Sequence, residues 1–170
     1  MIGVEVTEAI PQQYAHCSAL REREFPDAIL DIGHFGYNSP QKSSARMREL
    51  LAQDRLTSSG WVGDEPEEEW ALFVRDRVRE KSAKLAESGF RRFQTNWLAI
   101  YPNLPLPPVD LKKALPKLRY SIQKIWKDEP SFESIFIVCT ESISELSYAY
   151  TKEVKALNLW SDAVGSEASS

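Results

Sequence analysis

The chain is poor in the residues that mark special classes of protein. It has two cysteines, Cys17 and Cys139, in 170 residues, too few for a disulfide framework, and His16-Cys17 with the distant Cys139 lacks the paired spacing of a zinc site. No apolar run approaches the roughly 20 residues of a membrane span, and no charged leader precedes an apolar segment. Positive charge is not in excess. The 21 Lys and Arg stand against 25 Asp and Glu, a formal −4, which excludes a general electrostatic clamp on nucleic acid but not a local basic groove. No Gly-x-Ser-x-Gly elbow, phosphate loop, dinucleotide fingerprint or internal repeat is present. The expected address is cytoplasmic, with no membrane contact.

What is there suits one globular domain. The chain is 42% hydrophobic and 11% aromatic, with 7 Gly and 10 Pro. A domain of this size buries roughly 70% of the surface its unfolded chain exposes, so no metal or disulfide is needed for folding. Residues 1–160 are expected to form that domain. Residues 161–170, small and acidic, are expected to be a disordered tail.

Strict alternation over 2–7 predicts a strand, with Ile2, Val4 and Val6 on one side and Glu5 and Thr7 on the other. Helices follow near 11–24, after Pro11, and near 40–54, where Ser39-Pro40 reads as a cap and first residue. Between them, 25–38 reads as irregular. Asp64 and Glu67 have the spacing of a capping box, and residues 65–87 are the strongest helix, acidic at its start and basic near its end, with Gly89 as the stop. The apolar run 97–101 predicts a buried strand, and Asp110 caps a further helix with a kink or break at Pro116. Residues 132–138 form a third strand, with 143–149 returning beside it. Strands alternating with helices imply an α/β fold: a mixed, mostly parallel sheet of three to five strands flanked by helices.

Two positions stand out chemically. Glu5 and Thr7 sit opposite the aliphatic residues of the opening strand. If the strand is internal, a carboxylate there needs a partner or a cation; if it is an edge, both side chains simply face water. On the long helix Trp70, Phe73, Val74, Val78 and Leu85 form one stripe, and Lys81 lies about 20° from Trp70 within it. Its ammonium either snorkels to the rim or points at a carboxylate or phosphate on the sheet side. Asp27, Asp31 and His34 have chelating spacing, but Pro26 and Gly33 break the helix that would present them, so they also read as loop polars. Arg91 and Arg92, with Lys84 and Phe93 nearby, suit either a phosphate backbone or solvent. The proline-rich stretch 102–108 reads mainly as a stiff turn.

With strand 2–9, the helix ending Lys81-Ser82-Ala83-Lys84-Leu85 and the strand 96–101, the chain resembles the PD-(D/E)XK nuclease superfamily, the restriction-endonuclease-like fold. The resemblance spans about residues 2–140 on short, degenerate motifs. It implies Glu5 as a metal-binding carboxylate, Thr7 in place of the family's lysine, and Lys81 as a lysine supplied from the neighbouring helix. Lys84, Arg91 and Arg92 are the candidate contacts to nucleic acid. The family's metal-binding aspartate has no counterpart ahead of Glu5, leaving Asp27, Asp31 or Glu8 as substitutes. A Mg²⁺ ion held by one carboxylate is weakly held. The implied function is therefore a shortened or degenerate nuclease-like module binding nucleic acid or a protein, and possible as a homodimer. The alternative is an active Mg²⁺-dependent DNA endonuclease using Glu5 and Lys81. Three structural expectations follow. Strand 2–7 lies inside the sheet beside 96–101 with Ile2, Val4 and Val6 buried. The Trp70 stripe packs on the sheet. Glu5 and Lys81 share one cleft.

Overall fold

Local chemistry places most element boundaries. The computed structural model describes residues 1–53, 55–87, 93–128, 131–140 and 142–155. The alternating segment is strand β1 (Ile2–Ala9), and α1 (Gln12–Glu24) follows with Pro11 at its N-cap. Asp31 caps a short 3-10 turn, Ile32–Phe35, by accepting from Gly33 N–H. The next helix is shorter than expected. α2 spans Ser44–Leu51, and its cap is Ser43, whose Oγ accepts from Arg46 N–H at 3.2 Å. Ser39-Pro40 does not start it, because the Lys42 ammonium is bonded to the His34 and Pro40 carbonyls and folds that segment into a loop.

α3 (Glu65–Leu85) has proline in its first turn and three glutamates there, as the helix dipole favours. The expected capping box does not form. The Asp64 side chain makes no cap bond and pairs with Lys113, while buried Glu67 accepts from Asp110 N–H where the next helix begins. Then come β2 (Thr95–Pro102), α4 (Leu111–Asp128), β3 (Ser134–Val138), β4 (Ser142–Ser147) and β5 (Thr151–Lys155). α4 runs unbroken through Pro116. The proline removes one helix bond, but Ala114, Leu115, Leu118, Ile122 and Ile125 are buried on both sides of it, and each large apolar side chain buried is worth about 1.5–3 kcal/mol.

The fold is α/β with one open five-stranded sheet in the order β1-β2-β3-β4-β5. β1, β2 and β3 are parallel, joined by helical crossovers, and β3, β4 and β5 form an antiparallel meander. The sheet is thus half parallel rather than mostly so. The meander arises because only short turns separate its strands, and a parallel return needs a longer crossover. α3 and α4 cover one face, where Leu98, Ile100, Ile135, Ile137 and Leu146 meet Trp70, Val74, Val78, Leu118 and Ile122 in the main core. A second, smaller core holds Cys17, Leu20, Phe35, Met47 and Leu51 from α1, the 3-10 turn and α2. Among the described residues no helix is long and apolar enough to cross a membrane.

One expectation fails at β1. The strand does pair with β2, Glu5 opposite Leu98 and Thr7 opposite Ile100, but it is the end strand of the described sheet. Its aliphatic side is the exposed one: Ile2, Val4 and Val6 are 51%, 56% and 73% accessible. The opposite side, Gly3, Glu5, Thr7 and Ala9, turns toward the helices. Gly3 shows why the strand sits this way. The Phe93 ring packs so closely on it that an added Cβ would fall 2.1 Å from a ring carbon. The helix layer accepts a small or polar row here and supplies a cation for the glutamate.

Candidate functional site

Three elements position the candidate residues. Parallel pairing with β2 puts Glu5 and Thr7 in line with fully buried Leu98 and Ile100, and so beneath the helix layer. The apolar stripe of α3 then directs Lys81 onto that face: Trp70, Val74, Val78 and Leu85 are all at least 96% buried. Both expectations for α3 hold. Its stripe packs on the sheet, and Lys81 reaches Glu5, with Nζ donating to Oε1 at 2.6 Å. The side chains are 14% and 30% accessible, so the pair lies between a surface bridge and a buried one.

Beside Lys81 on α3 stands a carboxylate that the sequence reading passed over. Glu80 pairs with Arg77 at 2.7 Å and with Lys84 at 3.2 Å. Burial alone would raise the Glu80 pKa, but the hydrogen bond from Lys84 and the charges of Arg77, Lys84 and Lys81 outweigh it and hold the carboxyl below its ordinary range. The signal was legible: Glu80 stands three residues after Arg77 and four before Lys84, the spacings that meet on a helix face. A cleft of about 160 Å³ opens beside it at the carboxyl end of β1, lined by Ala9, Ile10, Asp76, Arg77 and Glu80 among others.

Of the remaining candidates, Asp31 and His34 come together, with His34 Nε2 3.4 Å from Asp31 Oδ2, and the others are dispersed. Asp31 is engaged in holding loops together, accepting from Thr57 N–H, Ser58 N–H and Ser58 Oγ at 2.7, 2.8 and 2.6 Å. Asp27 lies in the turn after α1 and is exposed. His34 bonds Thr57 Oγ1 at 2.8 Å. Lys84 is committed to Glu80, and Arg91 and Arg92 lie outside the described residues, as do Gly89 and the tail 161–170. Cys17 and Cys139 are free thiols, the first buried, and burial pushes both up in pKa.

A Mg²⁺ ion does not fit this donor set. The ion demands near-octahedral oxygen coordination, and Glu5 is one carboxylate with an oxygen already on an ammonium. Among the described residues no three His, Cys, Asp or Glu side chains converge as a metal cluster. Chemically, the arrangement can hold β1 to α3 through a charge-assisted hydrogen bond and present mixed charge at the strand's end. Comparison with family models, curated proteins and solved structures found no match to this chain.

Proposed function

We propose that the chain is a binding module on a nuclease-like α/β scaffold, in which Glu5 and Lys81 fasten the end strand to α3 instead of cleaving a phosphodiester. The observation that carries this reading is the 2.6 Å Glu5–Lys81 contact, in which the lysine ammonium occupies a Glu5 oxygen that a metal ion would need. A protein partner is favoured over nucleic acid. Lys81, Lys84 and Arg77 are each matched to a carboxylate, whereas Ile2, Val4, Val6 and Tyr101 leave an apolar sheet side exposed.

The test is incubation of the purified chain with plasmid DNA and with RNA in Mg²⁺, in Mn²⁺ and in EDTA, beside a mobility-shift titration with duplex DNA. No metal-dependent nicking and no retained complex at physiological salt are expected. Nicking that needs Mg²⁺ or Mn²⁺ and disappears in both Glu5→Gln and Lys81→Ala, with the fold intact by circular dichroism, would establish the endonuclease reading instead. A salt-sensitive DNA complex without nicking would make nucleic acid the partner.

A further inference from the structure

Away from β1, the segment from the 3-10 turn to α2 lines an open cavity of about 570 Å³, walled by Ser39, Pro40, Lys42, Ser43, Arg46 and Leu50 among others, with no carboxylate in its wall. Its shape is held from within. The Lys42 ammonium donates to the carbonyls of His34 at 2.6 Å and Pro40 at 3.1 Å and lies 5.4 Å from the centre of the Phe35 ring. Lys42 N–H donates to Gln13 Oε1 of α1 at 2.7 Å, and Ser39 N–H to the Gly36 carbonyl at 2.9 Å.

The charge balance of this cup is unusual for a chain with a formal −4. Lys42 is half-buried, and among the described residues no carboxylate pairs with it; its partners are neutral carbonyls and a ring. Burial first, and then the charge of Arg46, press the Lys42 ammonium below its ordinary pKa, outweighing the opposing effect of Cys17. A half-buried ammonium with no carboxylate of its own is an unfavourable arrangement that a bound anion would relieve. An ammonium has three protons, and two of Lys42's are used by the carbonyls, so one donor remains for a ligand. Arg46 contacts Glu49 through Nη1 at 2.8 Å, an exposed bridge that leaves its other guanidinium protons. The Ser39 and Ser43 hydroxyls add neutral donors, and α2 begins at the rim with the partial positive charge of a helix start.

We propose that this cavity binds a phosphate dianion, free or as a monoester, between Lys42 and Arg46. The uncompensated Lys42 ammonium and the guanidinium protons that Arg46 does not spend on Glu49 favour an anion, and several donors from different directions suit tetrahedral oxygens better than a planar carboxylate. The volume exceeds that of a bare phosphate and falls in the range of small-molecule sites. Pro40 and Leu50 give the surplus space an apolar wall for an organic substituent.

The full-length chain is titrated calorimetrically with inorganic phosphate, with a nucleoside 5′-monophosphate and with the matching nucleoside at constant ionic strength. Saturable binding of either phosphate, and none of the nucleoside, is expected. Tighter binding of the ester assigns the ligand to the monoester class, and equal affinities assign it to the free ion. Lys42→Met should weaken binding by about tenfold or more and Arg46→Gln by roughly three- to tenfold, as expected for losing one charge-assisted contact each. Lys113→Met, remote and paired with Asp64, should bind as wild type. Lys42 also braces its loop, so if Lys42→Met loses native circular dichroism the exposed Arg46→Gln decides alone. Absence of saturable binding to wild type, wild-type affinity in Arg46→Gln, or equal weakening in Lys113→Met would each overturn the proposal.

Discussion

The Glu5–Lys81 contact is the informative interaction at the scale of single residues, because its partial burial sets how it responds to substitution. A fully exposed pair contributes about 0–1 kcal/mol, and breaking a buried one costs about 3–5 kcal/mol. With accessibilities of 30% and 14%, Glu5→Gln or Lys81→Met alone should cost about 1–3 kcal/mol in urea denaturation. The double variant Glu5→Leu/Lys81→Met should recover most of that loss, since removing both charges leaves neither stranded. Additive losses in the double variant would mean the two side chains do not act as a pair.

Asp31 provides a pH-dependent counterpart. Burial would raise its pKa, but hydrogen bonds from the Ser58 hydroxyl and the Ser58 and Thr57 N–H groups, with His34 nearby, outweigh burial and hold it low. A carboxylate depressed in the folded state contributes stability above its unfolded pKa of about 3.9, and that stability is lost as pH falls through the folded value. Wild type should therefore lose denaturation midpoint more steeply than Asp31→Asn below about pH 4. Parallel acid profiles for the two chains would show that the loop bonds do not favour the ionised form.

At the scale of elements, α3 and β1 make opposite predictions from similar residue types. Trp70 is 4% accessible and central to the α3 stripe, so Trp70→Ala should cost about 3–5 kcal/mol. Val6 is 73% accessible, so Val6→Ala should change stability by about 0.5 kcal/mol or less. Equilibrium unfolding of both variants checks this, and a large loss at Val6 would mean that its side of the sheet is covered in solution.

Across the whole molecule, the described residues form two hydrophobic cores. The larger joins the sheet to α3 and α4, and the smaller joins α1, the 3-10 turn and α2. Polar and aromatic contacts tie the segment after the 3-10 turn to α3: Tyr37 OH donates to Asp76, and its ring packs edge-on against Phe73 at 5.1 Å. Small cores with few apolar contacts open at lower free energy than large ones. Native-state hydrogen exchange should therefore show α1 and α2 amides exchanging faster than those of α4, β2 and β3. Tyr37→Phe should widen that difference, and uniform protection in both chains would mean the cores open as one unit.

Much of this architecture was legible in the chain alone. The periods of 2–7 and 65–87, the apolar run 97–101 and the return after 138 determined the type of those elements, because hydrophobic periodicity is a local property. The Lys81 position in the α3 stripe was readable for the same reason, and it predicted the contact with Glu5. Which side of β1 faces the helices was not readable, since an alternating strand fits either way round. The close fit of Phe93 on Gly3 and the placement of Lys81 decided it. Likewise Asp64 and Glu67 had the spacing of a capping box, but Lys113 and the Asp110 amide, each more than forty residues away, claimed the two carboxylates. Ser39-Pro40 similarly read as a helix start until Lys42 bound the carbonyls of His34 and Pro40. Local patterns therefore determined what each segment becomes. The partners of its charged groups were decided by tertiary structure, because a charge turned toward the interior takes whichever counter-group the packing brings within reach.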